Sequence, residues 1–222
     1  MSPQRAARPH LIPRLIRVLL ALAGTALLIA VVPPLRTRTL QAIGGLLIVS
    51  DPIAPADVAV IVANTEGGES GDLEIIDLYH DHVMPRVLVL APAPTGVDQE
   101  LMRRGVHREN VLVRTLVQLG MPPTAITTIE AGEGGTTEST QALATWVASH
   151  PSRVLVVVDP THARRFRRTL LRAWPAHVAL PQIRCPRLNP FRAEDWWESR
   201  RTLRDGLFEL QKLAWDYLRH PW

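Results

Sequence analysis

The sequence predicts an α/β fold: a three-layer α/β/α sandwich on a mainly parallel, Rossmann-like sheet, preceded by one N-terminal transmembrane helix. Three observations predict it. Short aliphatic runs such as "DVAVIVA" (57–63) and "VLVVV" (154–158) are apolar on both faces, as strands covered on two sides must be. Stretches of helical periodicity separate these runs, which is the pattern of a parallel sheet with crossover helices. Near the start, "VLLALAGTALLIAVVPPL" (18–35) carries no charge and approaches the roughly 20 residues that span a bilayer core.

From the N-terminus, residues 1–17 are basic, with Arg5, Arg8, Arg14 and Arg17 ahead of the apolar run and Arg36 and Arg38 behind it. That bias predicts a cytoplasmic N-terminus and a body on the periplasmic or extracellular side of the inner (cytoplasmic) membrane, held by a single pass. A cleaved signal peptide is the main competitor, but no small-x-small site closes the run, which ends in Pro33-Pro34. Residues 36–50 are expected to be a short linker, and 51–222 one domain.

Within that domain, 57–63 is expected to be the first strand, followed by the glycine-bearing loop "NTEGGESG" and a helix over 72–82. A second strand is expected at 86–91. Pro92, Pro94 and Gly96 break the chain, and apolar spacing predicts a helix from about 106 to 119, although "NVLVRTLV" also suits a strand. Then come a strand at 125–130, the loop "AGEGGTT", a helix at 136–149, a strand at 153–158 and a helix at about 162–174. The last segment, 194–218, places Trp197, Leu203, Leu207, Leu210, Ala214 and Leu218 on one stripe, expected to close over the sheet. The alternative sets Trp215, Tyr217 and Trp222 at lipid headgroups.

Basic residues number 25 against 21 acidic, a net charge of +4, too small an excess to argue for nucleic acid as a partner. All the basic residues but Lys212 are arginine. Cys185 is the sole cysteine, which excludes an internal disulfide, and its apolar surroundings suggest a packed side chain. No His/Cys cluster with zinc spacing appears, no metal site is assigned, and no Gly-x-Ser-x-Gly elbow is present.

Ligands of open parallel sheets gather beyond the carboxyl ends of the strands. "DPTH" (159–162) lies at such an end, and the helix that follows opens with arginines. Thr161, His162 and Arg165 can therefore face one loop, where a helix N-terminus already favours an anion. Arg164, Arg168 and Arg172 share one helix face by spacing, and the last two are expected on a solvated surface. The loop "EAGEGGTTEST" (130–140) offers Gly134 and Gly135 for close backbone approach, Thr136 as a helix-start hydroxyl, and Glu138 as a first-turn acid. A secondary loop, Asn64, Glu66, Gly67 and Gly68, is glycine-rich but acidic, so bare phosphate would be repelled there without a cation.

Four stretches, "LIVSDPIAPADVAVIVA", "IIDLYHDHVMPRVLVLA", "LGMPPTAITTIEAGEGGTTESTQAL" and "VVVDPTHARRF", taken in this order, resemble the YdcF/SanA/ElyC family of bacterial envelope proteins over residues 46–218. The resemblance implies a family site at Glu130, Thr136, Glu138, His162 and Arg165. Departures stand at Ala91-Pro92, Gly135, Ser139 and Val158-Asp159, where the family usually has Ser-Gly-Gly, Asn, Asn and Thr-Ser. It also implies a role in envelope, peptidoglycan or lipid-carrier homeostasis. On that basis Arg165, Thr161, Gly134, Gly135 and Thr136 are expected to bind a phosphate-bearing metabolite. His162 would serve as acid or base, with Glu130 and Glu138 in support. Two other readings are a non-enzymatic envelope module that binds protein partners through a degenerate cleft, and an S-adenosylmethionine or nucleotide-binding domain. No cofactor is assigned.

Overall fold

The computed structural model describes residues 11–62, 68–106, 110–132 and 135–221. In chain order the elements are α1 (Leu11–Val31), α2 (Pro33–Gly45), β1 (Val58–Val62), α3 (Gly68–His80), β2 (Val87–Ala91), α4 (Gly96–Arg103) and α5 (Val111–Gln118). After these come β3 (Ile126–Glu130), α6 (Thr136–Ser149), β4 (Val154–Val157), α7 (Ala163–Ala173), β5 (Gln182–Arg184) and α8 (Arg200–Arg219). The five strands form one sheet in the order β3-β2-β1-β4-β5, with every pairing parallel. The fold is thus the expected α/β type with a Rossmann-like parallel sheet.

Side chains alternate across the sheet with a period of two, so each strand feeds both layers. Ala59, Ile61, Val87, Val89, Leu155 and Val157 pack under α3 and α5 with Ile75, Leu116 and Met121. Val58, Val60, Leu88, Leu90, Val154, Val156 and Ile183 pack under α6 and α7 with Leu143, Phe166 and Leu170. The switch in strand order between β1 and β4 places the chemically useful edge beside the ends of both strands.

Three sequence expectations are corrected in the linking regions. The helix expected over 106–119 is the shorter α5, started by the Asn110 side chain accepting from Leu112 and Val113, and a further helix, α4, which a Thr95–Asp98 capping box starts, stands where the sequence suggested only a break. The 36–50 stretch is no linker, because most of it is α2. Pro33 and Pro34 occupy its first positions, where a missing N–H costs nothing. In addition, the closing stripe is displaced. α8 buries Thr202, Gly206, Glu209 and Leu213, and leaves Leu207 and Leu218 exposed.

The apolar N-terminal run divides at Val32. Among the described residues no single helix is long and apolar enough to cross a membrane; α1 and α2 meet that test as a pair by length and composition, bent by 102°. α1 buries little, with Val18, Leu19, Leu20, Leu22, Leu27, Leu28 and Val31 all exposed. α2 docks instead, joining Leu40 and Ile43 to a small third core of Leu47, Phe191, Trp196 and Leu213.

The arginines of α7 divide by face. Arg168 and Arg172 are not solvated, because both grip Asp216 of α8, at 2.8 and 2.6 Å, with side chains only 20% and 30% exposed. Four-residue spacing put them on one face as expected, but α8 covers that face.

Candidate functional site

Two loops distant along the chain meet at the carboxyl edge of the sheet. β3 runs through Ala131 and Gly132 towards α6, and β4 runs through Asp159 and Pro160 into α7. At the junction Thr136, the first residue of α6, faces His162 and Arg165 of the α7 entry. Arg165 Nη1 donates to Thr136 Oγ1 at 2.8 Å, and His162 Nε2 stands 3.3 Å from the same hydroxyl.

A carboxylate from α8 completes the cluster. Glu209 accepts from Arg165 Nε at 2.9 Å and Nη2 at 3.2 Å, and from Lys212 Nζ at 2.8 Å. Its side chain is 11% exposed, so this is a largely desolvated, two-point pair between a planar cation and a planar anion. Burial works against ionisation of Glu209, yet Arg165 and Lys212, with His162 joining them when it is protonated, outweigh burial and hold its carboxyl well below the usual range.

The protonation of His162 follows from its neighbours. Burial lowers its pKa, and the nearby Arg165 charge works in the same direction, against the pull of Glu209. Its ring is therefore neutral. Nδ1 touches Arg165 Nη2 at 2.8 Å and Glu209 Oε2 at 3.2 Å, and it cannot accept from one while donating to the other. An arginine never accepts, so the shorter contact makes Nδ1 the acceptor and leaves the proton on Nε2, directed at Thr136. Protonation would reverse this, turning Nδ1–H towards Glu209.

Asp159 is a second unusual group at this edge. It accepts from Asn189 Nδ2, which also reaches Ser70 Oγ at 3.3 Å in the first turn of α3. Burial pushes its carboxyl up to about 6, and the negative charges of Asp205 and Glu209 push the same way, while Asn189 and Arg201 oppose. A carboxyl raised by folding contributes stability that is full below its ordinary value of 3.8 and is lost as pH rises towards about 6. Asp159→Asn is therefore expected to stabilise the protein at pH 7 by up to about 3 kcal/mol and to have little effect at pH 4. Urea unfolding at the two pH values checks this; an equal effect at both would refute the assignment.

The other expected residues are placed differently. Glu130 ends the exposed edge strand β3 and, among the described residues, makes no bond to the cluster. Thr161 is half-buried in the turn before α7 and, among the described residues, makes no side-chain bond to the cluster. Glu138 is exposed and folds back over its own helix start, so that a Cβ at Gly135 would strike its Oε2 and one at Gly132 would lie 2.9 Å from its Cβ. That close approach is why glycine suits both positions, and Gly132 also has φ +64°. Asn64, Glu66, Gly67 and Gly134 lie outside the described residues; Gly68 begins α3.

Glu209 and Lys212 were not candidates in the sequence. The one signal available was an acid at 209 between apolar positions of the last helix, ambiguous until the helix rotation was known. The positive charge that Arg165 brings to this helix start is thus largely offset by an internal anion. Cys185 is a packed side chain, its thiol pushed up to about 11 by burial and donating to the Val49 carbonyl at 3.2 Å. Among the described residues, no three of His, Cys, Asp and Glu assemble as a metal site would need.

No protein-family model, curated protein or solved structure matches this chain.

Proposed function

We propose that this is a membrane-anchored, envelope-facing protein of the YdcF/SanA/ElyC type that binds a phosphate-bearing envelope metabolite at the carboxyl edge of its sheet. The observation that carries the reading is the meeting of Thr136, His162 and Arg165 at the first turn of α6. Three kinds of donor remain for a ligand here: the second N–H of Arg165 Nη1, the hydroxyl proton of Thr136, whose oxygen accepts from Arg165 and His162, and the amides of a helix start that Gly135 leaves without a side-chain cap. The oxygens of a phosphate monoester accept from all three, and the guanidinium charge strengthens the bond it makes. If the bound ester reacts, His162 is the group that can pass a proton to or from it, with Arg165 fixing the tautomer and Glu209 fixing Arg165. The apolar, exposed α1 supports the anchor, as does the basic sequence ahead of it.

Glu138 restrains this site. Its carboxylate lies over the same helix start and repels an incoming anion. Calorimetric titration of the detergent-solubilised full chain with a short-chain prenyl phosphate is expected to show binding that strengthens several-fold in Glu138→Gln and weakens about tenfold in Arg165→Ala. Equal binding by the Arg165→Ala, His162→Ala double variant would remove the proposed site. One observation favours a second reading, that of a non-enzymatic partner-binding module: Arg165 already spends most of its donors on Glu209, Thr136 and His162. Absence of binding to prenyl phosphate, inorganic phosphate and S-adenosylmethionine alike would favour that module.

A further inference from the structure

A separate groove of about 550 Å³ lies on the opposite flank of α7 from the Thr136–His162 cluster. Its floor is the segment leaving α2, Ile48, Val49, Ser50 and Asp51. Its walls are Arg164, Arg167, Arg168 and Leu171 of α7, and Tyr217 near the end of α8. The lining carries three guanidinium groups against one carboxylate. Asp51 pairs with Arg167 at 3.0 Å, and Asp216 outside the lining pairs with Arg168. Arg164 meets only backbone among the described residues, donating to the carbonyls of Leu46 and Ile48. Its charge is therefore not neutralised. The Arg168 guanidinium lies 3.6 Å above the Tyr217 ring, so cation and aromatic form one wall.

We propose that this groove holds the phosphodiester headgroup of an anionic phospholipid. The lining is amphipathic in the way that ligand demands: a net positive charge for the phosphate, then Leu171 and Tyr217, 40% and 44% exposed, for the glycerol and the start of the chains. The next residue of α8, Leu218, is apolar and 76% exposed. A zwitterionic headgroup fits less well, because its ammonium would enter a site already rich in cations.

The position agrees with the chemistry. The groove floor follows directly on α2, and α2 turns 102° from α1. With α1 along the bilayer normal, α2 lies close to the membrane plane, and the body it docks against, including α8, sits at headgroup level. This orientation, though not the groove itself, rests on the anchor reading.

The test titrates the detergent-solubilised full chain with dihexanoyl phosphatidylglycerol, dihexanoyl phosphatidylcholine and inorganic phosphate, following tryptophan fluorescence and calorimetry. Phosphatidylglycerol is expected to bind about tenfold more tightly than either alternative, and about fivefold less tightly to Arg167→Gln than to the native chain. Leu171→Asp, at an exposed position, should abolish the preference while leaving the thermal midpoint unchanged. Equal affinity for the two lipids, or phosphate binding as tightly as phosphatidylglycerol, would overturn the proposal. Soluble short-chain lipids need no anchored protein. Release of the intact chain by carbonate washing would therefore count against the anchor, and loss of lipid preference against the groove.

Discussion

Glu209→Ala is expected to lower the thermal midpoint by about 10 °C. The substitution leaves Arg165, 15% exposed, charged and largely desolvated with no counter-ion, a defect of about 3–5 kcal/mol. For a chain of this size each kcal/mol moves the midpoint by about 2–4 °C. The sign with pH follows from the depressed carboxyl. A group held below its ordinary 4.5 contributes stability that is present above that value and lost as pH falls through its folded value. The gap between native and variant should thus be full at pH 6–8 and narrow progressively in acid. Pairing Glu209→Leu with Arg165→Met removes both charges and should recover most of the loss, since an apolar pair replaces a buried ion pair at little cost. If the double variant is no more stable than Glu209→Ala, the ion pair is not the source of the effect. Glu209→Ala also frees two guanidinium donors, so it should bind prenyl phosphate more tightly while folding less stably.

That opposition between stability and ligand capacity is the part of the site the sequence could not disclose. The loops were legible because their chemistry is local: "VLVVVDPTHARRF" has a strand, a break and a helix start in order, and β4 and α7 begin within a residue of expectation. The α6 start at Thr136 was legible for the same reason. Glu209 was not, because its role depends on how a helix some forty residues downstream rotates about its axis. The apolar stripe suggested one rotation. The structure has another, set by Trp196 packing against Gly206, and it turns position 209 inward. The fate of Arg168 and Arg172 was hidden likewise, since spacing shows that two side chains share a face but not whether Asp216 will cover it. α2 escaped notice because the prolines at 33–34 look like the end of the apolar run and the glycines at 44–45 like a linker, although prolines at a helix start and a glycine under an indole are both compatible with a docked helix.

Trp196 fixes that rotation, and its replacement should have an effect as large as that of Glu209. The indole is 2% exposed, donates from Nε1 to the Leu40 carbonyl at 2.8 Å, and is pinched between glycines of two helices. A Cβ at Gly44 of α2 would stand 2.6 Å from Trp196 Cδ1, and one at Gly206 of α8 would stand 2.7 Å from Cε3. Glycine inside a helix ordinarily costs about 1 kcal/mol relative to alanine, so Gly206→Ala would stabilise an unconstrained helix. Here the opposite sign is expected, because the ring is backed by Phe191 and cannot retreat without opening the small core it shares with Leu47 and Leu213. Trp196→Ala should cost about 3–5 kcal/mol and lower the midpoint by about 10 °C. Hydrogen exchange separates this from a general loss of stability: α2 amides around Leu40 and Ile43 should lose protection far more than those of β1 or β4, since Leu40 and Ile43 pack into the third core. A stabilising Gly206→Ala, or uniform loss of protection in Trp196→Ala, would show that the indole does not join the two helices. α2 would then have no fixed angle to the domain, and neither would the apolar helix that precedes it.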